Sequence, residues 1–209
     1  KLVGDLLGHF PCRLLIATRA WLERNPEVDA TEIIEVTQEE LTRASLQKTP
    51  QEVLAIFGQP TYEMQPEVIS DHLCLALDDV QDPGNLGTII RLADWFGIEH
   101  IFCSQGTVDV YNPKTIQATM GALARVKLHY CHLPSLIASL RDVPVYGTFL
   151  DGENMYGKAL SAHGLIVMGN EGNGIGEEVA KLVNERLYIP NYPPQRETSE
   201  SLNVAVATA

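Results

Sequence analysis

The chain has 209 residues, 45% of them hydrophobic and 20% charged, and 15 basic against 27 acidic side chains leave a formal net charge of −12. That length carries one sizeable core, with or without a small companion domain. No apolar run is long enough to span a membrane and no charged-then-apolar leader is visible, so the cytoplasm is the expected compartment. Neither side of residue 70 is basic, which argues against broad binding to a polyanion.

In chain order the signals alternate between strand and helix. RLLIAT (13–18) and EIIEV (32–36) read as short strands, and Thr37-x-x-Glu40 is a capping-box signature opening a helix through EELTRASL. EVLAIFG (52–58) reads as a further strand. QPTYEMQPEVIS (59–70) has two prolines and little periodicity and is the expected linker. From His72 the pattern sharpens. HLCLALDDV is a nearly unbroken apolar run, as expected of a strand covered on both faces. A helix over about 85–96 follows, then HIFCS as a strand, a helix over 113–122, RVKLHY as a strand and a helix from Pro134 to Arg141. VPVYGTFLD and GLIVMGN are strands, a helix runs from Gly176 to about Glu185, RLYIP is a strand, and SLNVAVATA opens a last helix. Repeated strand-helix units predict an α/β fold: a mostly parallel sheet with helices on both faces. Lys1 in place of Met, and the stop at Ala209 early in a helix, lead to the expectation that both ends are incomplete.

The cysteines Cys12, Cys74, Cys103 and Cys131 are scattered, with no Cys-x-x-Cys pair, and are expected to be reduced and mostly buried. His129 and His132 flank Cys131, but VKLHYCH reads as a strand end and no metal is expected there.

Three loops remain to be explained. The first leads into the helix opened by DPGN. Leu86, Ile89, Ile90, Ala93 and Phe96 recur at helical spacing, and at ~100° per residue Arg91 points ~160° from the centre of that stripe. Read alone, Arg91 is a solvated cation and Asn85 an N-cap. The second loop, MGNEGNGIGEE (168–178), sets Gly169, Gly172 and Gly174 in the order G-x-x-G-x-G. That is neither the G-x-G-x-x-G fingerprint nor a P-loop ending in Lys-Ser/Thr, and Glu171 inside it repels phosphate. It suits close backbone approach to a ligand whose near part is uncharged or cationic. The third, IPNYPPQRETSESLNVAVATA (189–209), leads through prolines to Ser201, Leu202 and Asn203. Read alone, Ser201 caps a helix whose Ala205, Ala207 and Ala209 allow close packing.

Together these segments resemble the SpoU/TrmH branch of the SPOUT superfamily of RNA methyltransferases. DPGNLGTIIRLADWFG is similar to the first family motif, with Asn85 and Arg91 at its spacing. MGNEGNGI is similar to the second, with Glu171, and IP…SESLNVAVA to the third, with Ser201 and Asn203. The match covers residues 72–209 or so, and the preceding segment resembles more loosely the family's small substrate-binding domain.

The resemblance implies a C-terminal trefoil knot, which general rules of chain topology would not propose, with the three loops converging at it. It implies a small N-terminal α/β domain binding the RNA substrate over 1–60, a linker over 61–70, and a knotted methyltransferase domain over 71–209. The implied cofactor is S-adenosyl-L-methionine, held by Thr148, Phe149, Leu150, Gly169, Asn170, Gly172, Ile189 and Leu202. The implied catalytic residues are Arg91, Asn85, Glu171, Ser201 and Asn203. The implied reaction is methyl transfer to a ribose 2′-hydroxyl in tRNA or rRNA, by a homodimer whose site lies beside the interface. A guanidinium pKa above ~12 resists deprotonation, so Arg91 is expected to bind phosphate and stabilise charge developing on oxygen rather than act as base. At a net charge of −12, RNA contact requires locally gathered cations; Arg13, Arg19, Arg24, Arg91, Arg125, Lys127 and Arg196 are the candidates. The alternatives are a non-catalytic RNA-binding or assembly factor on the same fold, and a nucleotide-binding α/β enzyme acting on small molecules. A phosphate-cradling glycine loop would mark the latter.

Overall fold

The computed structural model describes residues 1–193 and 201–209. The chain divides into two compact units, Lys1–Thr61 and Tyr62–Ala209.

In the first unit α1 (Leu2–Leu6), β1 (Cys12–Thr18), α2 (Arg19–Arg24), β2 (Glu32–Val36), α3 (Gln38–Ala44) and β3 (Val53–Phe57) follow one another. The sheet is ordered β2-β1-β3, with β1 parallel to β2 and antiparallel to β3. Central β1 supplies the buried Cys12, Leu15 and Ala17, and Trp21 of α2 closes over them. The capping box forms as its spacing demands. Glu40 N–H donates to Thr37 Oγ1 at 3.3 Å while Thr37 N–H donates to Glu40 Oε2 at 2.9 Å, so two otherwise orphaned donors start α3.

The second unit runs α4 (Val68–Asp71), β4 (Leu73–Leu77), α5 (Pro83–Trp95), β5 (His100–Cys103), α6 (Pro113–Thr119), β6 (Lys127–Tyr130), α7 (Leu133–Ser139), β7 (Val145–Asn154), β8 (Gly164–Met168), α8 (Glu177–Ala180), β9 (Glu185–Tyr188) and α9 (Val204–Thr208). Its strands are ordered β6-β5-β4-β8-β7-β9, and each adjacent pair is parallel. The apolar runs explain which strands are central: Cys74 to Leu77 of β4 are all buried, and in β8 so are Leu165, Val167 and Met168. From β4 the chain builds outward one way through β5 and β6, and β8 closes the other half against β4. Parallel sheets bind ligands at the carboxyl ends of strands where that direction reverses. The register Leu77↔Met168 brings the two strand ends level at that point.

Several expected boundaries move. Ile69, inside the expected linker, is fully buried in the core of the second unit beside Cys74 and Leu133. Helix α5 starts at Pro83 under an Asp82 cap, and Phe96, expected in its buried stripe, is the C-cap and 59% exposed. Helix α6 stops at Thr119, short of the expected 122, because Met120 and Gly121 adopt left-handed φ values of 53° and 94°.

Candidate active site

The carboxyl end of β4 turns sharply, with Asp79 at a φ of 58°. Its N–H donates to Ser104 Oγ at 2.9 Å, and that hydroxyl donates back to Asp79 Oδ1 at 2.7 Å. Asp82 then caps α5 by accepting from Asn85 N–H at 2.9 Å. Asn85 is therefore not the N-cap that the sequence read alone indicates; it sits in the first turn with its carboxamide turned to other partners. One end, Nδ2, donates to Glu171 Oε1 at 2.9 Å; the other, Oδ1, accepts from Asn203 Nδ2 at 2.9 Å. Glu171 also accepts from the N–H of Asp82 at 3.3 Å and of Gln81 at 3.4 Å. Partial burial raises its pKa, but the Asn85 amide and backbone N–H groups of Glu171, Gln81 and Asp82 outweigh that and hold the carboxyl below its ordinary value. Carboxylate charge at the amino end of α5 is favoured for the same reason that Asp82 is.

Glu171 is held in place by a loop that folds on itself. Asn170 and Gly174 exchange backbone hydrogen bonds at 2.9 Å each way, and Asn170 Oδ1 accepts from the N–H groups of Gly172 and Asn173 at 2.9 and 3.0 Å. Asn170 Nδ2 donates to Asp79 O at 2.7 Å, and Gly176 N–H to Asp78 Oδ2 at 2.8 Å, tying the loop to the end of β4. Gly169 lies so close to the loop's return that a Cβ there would sit 2.2 Å from Gly174 C, and Gly174 itself has a φ of 69°. Gly169 and Gly174 thus serve the turn of the loop, and with Gly172 they also line the cavity beside it, where the sequence reading expects close ligand approach.

Asn203, rather than Ser201, caps α9: its Oδ1 accepts from Ala205 and Val206 N–H at 3.0 and 3.3 Å. The second and third loops, with the end of β7, line a cavity of about 400 Å³, and the first loop joins them through Asn85 and Glu171. Thr148, Phe149, Leu150, Gly169, Asn170, Gly172, Ile189 and Leu202 all line it, with Glu171 and Ser201. Asn85 and Asn203 stand behind Glu171. Arg91 is not a lining residue. It is exposed on the outer face of α5, roughly 9 Å further along the axis than Asn85, and has no hydrogen-bond or ion-pair partner among the described residues. The lining residues missed in the sequence include Met168, Ile175, Tyr188, Val204 and Ala207. Asp82 was also missed, although Asp before Pro-Gly at a helix start is a legible cap signal.

The expected RNA-contacting cations are in part engaged. Arg19 pairs with Glu23 and Arg24 with Glu52 at exposed positions where such pairs contribute ~0–1 kcal/mol, whereas Arg125 is held by two 2.7 Å hydrogen bonds to the half-buried Asp94. Arg196 and most of the 190–200 insertion lie outside the described residues.

Residues 72–209 match the SpoU rRNA Methylase family. The chain is 34% identical over 165 residues to the 23S rRNA (guanosine(2553)-2'-O)-methyltransferase RlmP of Bacillus subtilis, covering 78% of this chain and 63%, just under two thirds, of that relative. A TrmH-family protein from Porphyromonas gingivalis superposes with a TM-score of 0.89 at 43% identity, covering all of this chain and 83% of the other. An AdoMet-bound rRNA methyltransferase from Sinorhizobium meliloti gives 0.82 at 29% identity, with 99% and 80% covered.

Proposed function

The chain belongs to the SpoU rRNA Methylase family, and from that premise we propose that it transfers a methyl group from S-adenosyl-L-methionine to a ribose 2′-hydroxyl of RNA. The observation that carries this is the side-chain relay Asn203–Asn85–Glu171, which ties the three motif loops together beside one cavity lined by the second and third of them. The cavity's chemistry fits the cofactor. Its described lining has one carboxylate, apolar Leu150, Ile175, Ile189 and Leu202, much exposed backbone and no cation. That suits an uncharged nucleoside bearing a sulfonium and does not suit a phosphate. S-adenosyl-L-methionine, when bound, supplies the electrophilic methyl group.

The chain's own residues then have positioning and charge-stabilising roles. Glu171 is a poor proton acceptor, since its oxygens already accept hydrogen bonds and its pKa is low; it braces the amino end of α5. Arg91 is unencumbered, so it binds substrate phosphate and offsets charge growing on the ribose oxygen, while Ser201 at the cavity wall orients the ribose. The names of the rRNA-modifying relatives favour rRNA over tRNA as substrate. The small unit, which carries Arg13, Arg19 and Arg24, is assigned to RNA binding. A second copy packs on the carboxyl end of α5 and on α9, where Trp95 is 83%, Phe96 59% and Val206 63% exposed, and leaves Arg91 at its edge open to substrate. The last segment threads a trefoil knot. No described helix is long and apolar enough to cross a membrane, and the four free cysteines accord with a reducing cytoplasm.

The test is to compare, by mass spectrometry, ribose methylation of RNA from cells with and without the gene, together with in vitro transfer of labelled methyl by purified protein. Cofactor binding without transfer to any RNA would favour the assembly-factor reading. Failure to bind the cofactor at all would remove the methyltransferase reading.

A further inference from the structure

Strand β7 does not pair evenly with β9. Thr148 and Glu153 both register with Leu187, so residues 149–152 bulge out of the ladder. Gly152 lies flat on β9, where a Cβ would come 2.4 Å from Leu187 C and O. The bulge presents Phe149 and Leu150 to the cavity, and Leu150 is 80% exposed. One side chain of β9 grips both ends of this bulge. The Arg186 guanidinium stacks on the Phe149 ring, its Cζ 3.5 Å from the centroid, and its Nη2 donates to Asp151 Oδ1 at 2.7 Å. The Arg186 guanidinium holds the Asp151 carboxyl below its ordinary range. Gly147 leaves room for the Phe149 ring, since a Cβ there would meet its Cε2 at 2.8 Å.

We propose that Arg186 is a positioning residue for the cofactor. Through Phe149 and Asp151 it sets the shape of the 149–152 bulge, and so presents Leu150 and the neighbouring backbone to the ligand in the cavity. This rests on the reading of that cavity as the S-adenosyl-L-methionine site. Pre-shaping a loop improves affinity by lowering the ordering cost on binding, so Arg186 acts on cofactor affinity and leaves the methyl-transfer step and RNA binding alone.

The experiment is calorimetric titration of the full chain with S-adenosyl-L-methionine and with S-adenosyl-L-homocysteine, alongside steady-state kinetics. Arg186→Ala should weaken both ligands about tenfold and raise the cofactor KM in step, with kcat and the KM for RNA unchanged. Arg186→Lys, which keeps a cation over the ring but loses the planar fork, should fall between. Arg186→Ala combined with Phe149→Leu should cost less than the two changes summed. Asp151→Asn, at an exposed position, gives a milder loss of affinity and serves if Arg186→Ala does not fold. Wild-type affinity in both Arg186→Ala and Asp151→Asn overturns the proposal, as does a loss confined to kcat or to RNA binding. Absence of cofactor binding by the wild-type chain instead overturns the reading of the cavity.

Discussion

Asn203 holds Asn85 across 118 residues of sequence: its Nδ2 donates to Asn85 Oδ1 at 2.9 Å, while its own Oδ1 caps α9. Asn85 passes the contact on to Glu171 at 2.9 Å. A carboxamide is required at position 85 because it must donate at one end and accept at the other. Asn85→Asp removes the donor and sets a second carboxylate against Glu171. We expect turnover to fall by about 10²-fold or more from displacement of the loops. Asn203→Ala should lose turnover too, and the double variant Asn85→Ala/Asn203→Ala should be little worse than either single change. Kinetics of the three variants, with circular dichroism to confirm folding, check this.

Arg91 separates activity from stability. It is exposed and unpaired among the described residues, so Arg91→Ala should leave unfolding free energy within about 0.5 kcal/mol of wild type and cofactor affinity unchanged. Turnover should drop on the order of 10²–10³-fold, the usual cost of losing one stabiliser of developing oxyanion charge. Arg91→Lys should recover only a small part of this, because the planar fork matches phosphate and an ammonium does not. Retained turnover in Arg91→Ala would remove Arg91 from the mechanism.

Gly169→Ala tests the loop itself. The added methyl would fall 2.2 Å from Gly174 C and 2.3 Å from Ile175 N, both backbone atoms that cannot swing aside. The loop must open, breaking the Asn170–Gly174 pair and displacing Glu171. Loss of cofactor binding in calorimetry is expected, together with a loss of stability from the opened loop.

Histidine burial gives the second unit a pH dependence well away from the cavity. His129 is 5% exposed, stacked on Phe102 and on His100, with His100 Nδ1 3.1 Å from His129 Nε2. Desolvation, helped by His100 and Lys127, pulls its pKa down from 6.5 to about 4. A base with a depressed folded pKa binds fewer protons folded than unfolded. Its contribution is therefore intact above about pH 6.5 and lost progressively as pH falls to about 4, with the neighbouring His100, also held below its ordinary value by burial, adding in the same direction. Chemical denaturation between pH 4 and 8 should show this slope, and His129→Phe should flatten it. An unchanged slope in His129→Phe would remove His129 as the cause.

Much of this fold is written in local patterns. The capping box at Thr37 and Glu40, the apolar run of β4 and the strand-helix alternation each specify their element within a few residues. Where the local pattern misleads, a tertiary partner decides. Asn85 and Ser201 both look like caps, yet Asp82 and Asn203 take those positions and free Asn85 for Glu171. Phe96 fits the helical stripe but the helix has ended. Ile69 lies among prolines and still fills the sheet's core. The cavity residues recognised by motif are those whose loops carry it; Tyr188, Val204 and Ala207 join only through the convergence of β9 and α9, which no single window of sequence displays. Arg186 offers no motif at all, because its partners lie 35 residues upstream and act through a ring face.

The link from Asn203 to Asn85 also bears on when the protein becomes competent during synthesis. Asn85 and Glu171 leave the ribosome well before Asn203, and until that residue emerges the α5 amide lacks one of its two partners. A product that stops between Glu171 and Asn203 would therefore hold Asn85 through Glu171 alone, without the brace that Asn203 adds from the cap of α9.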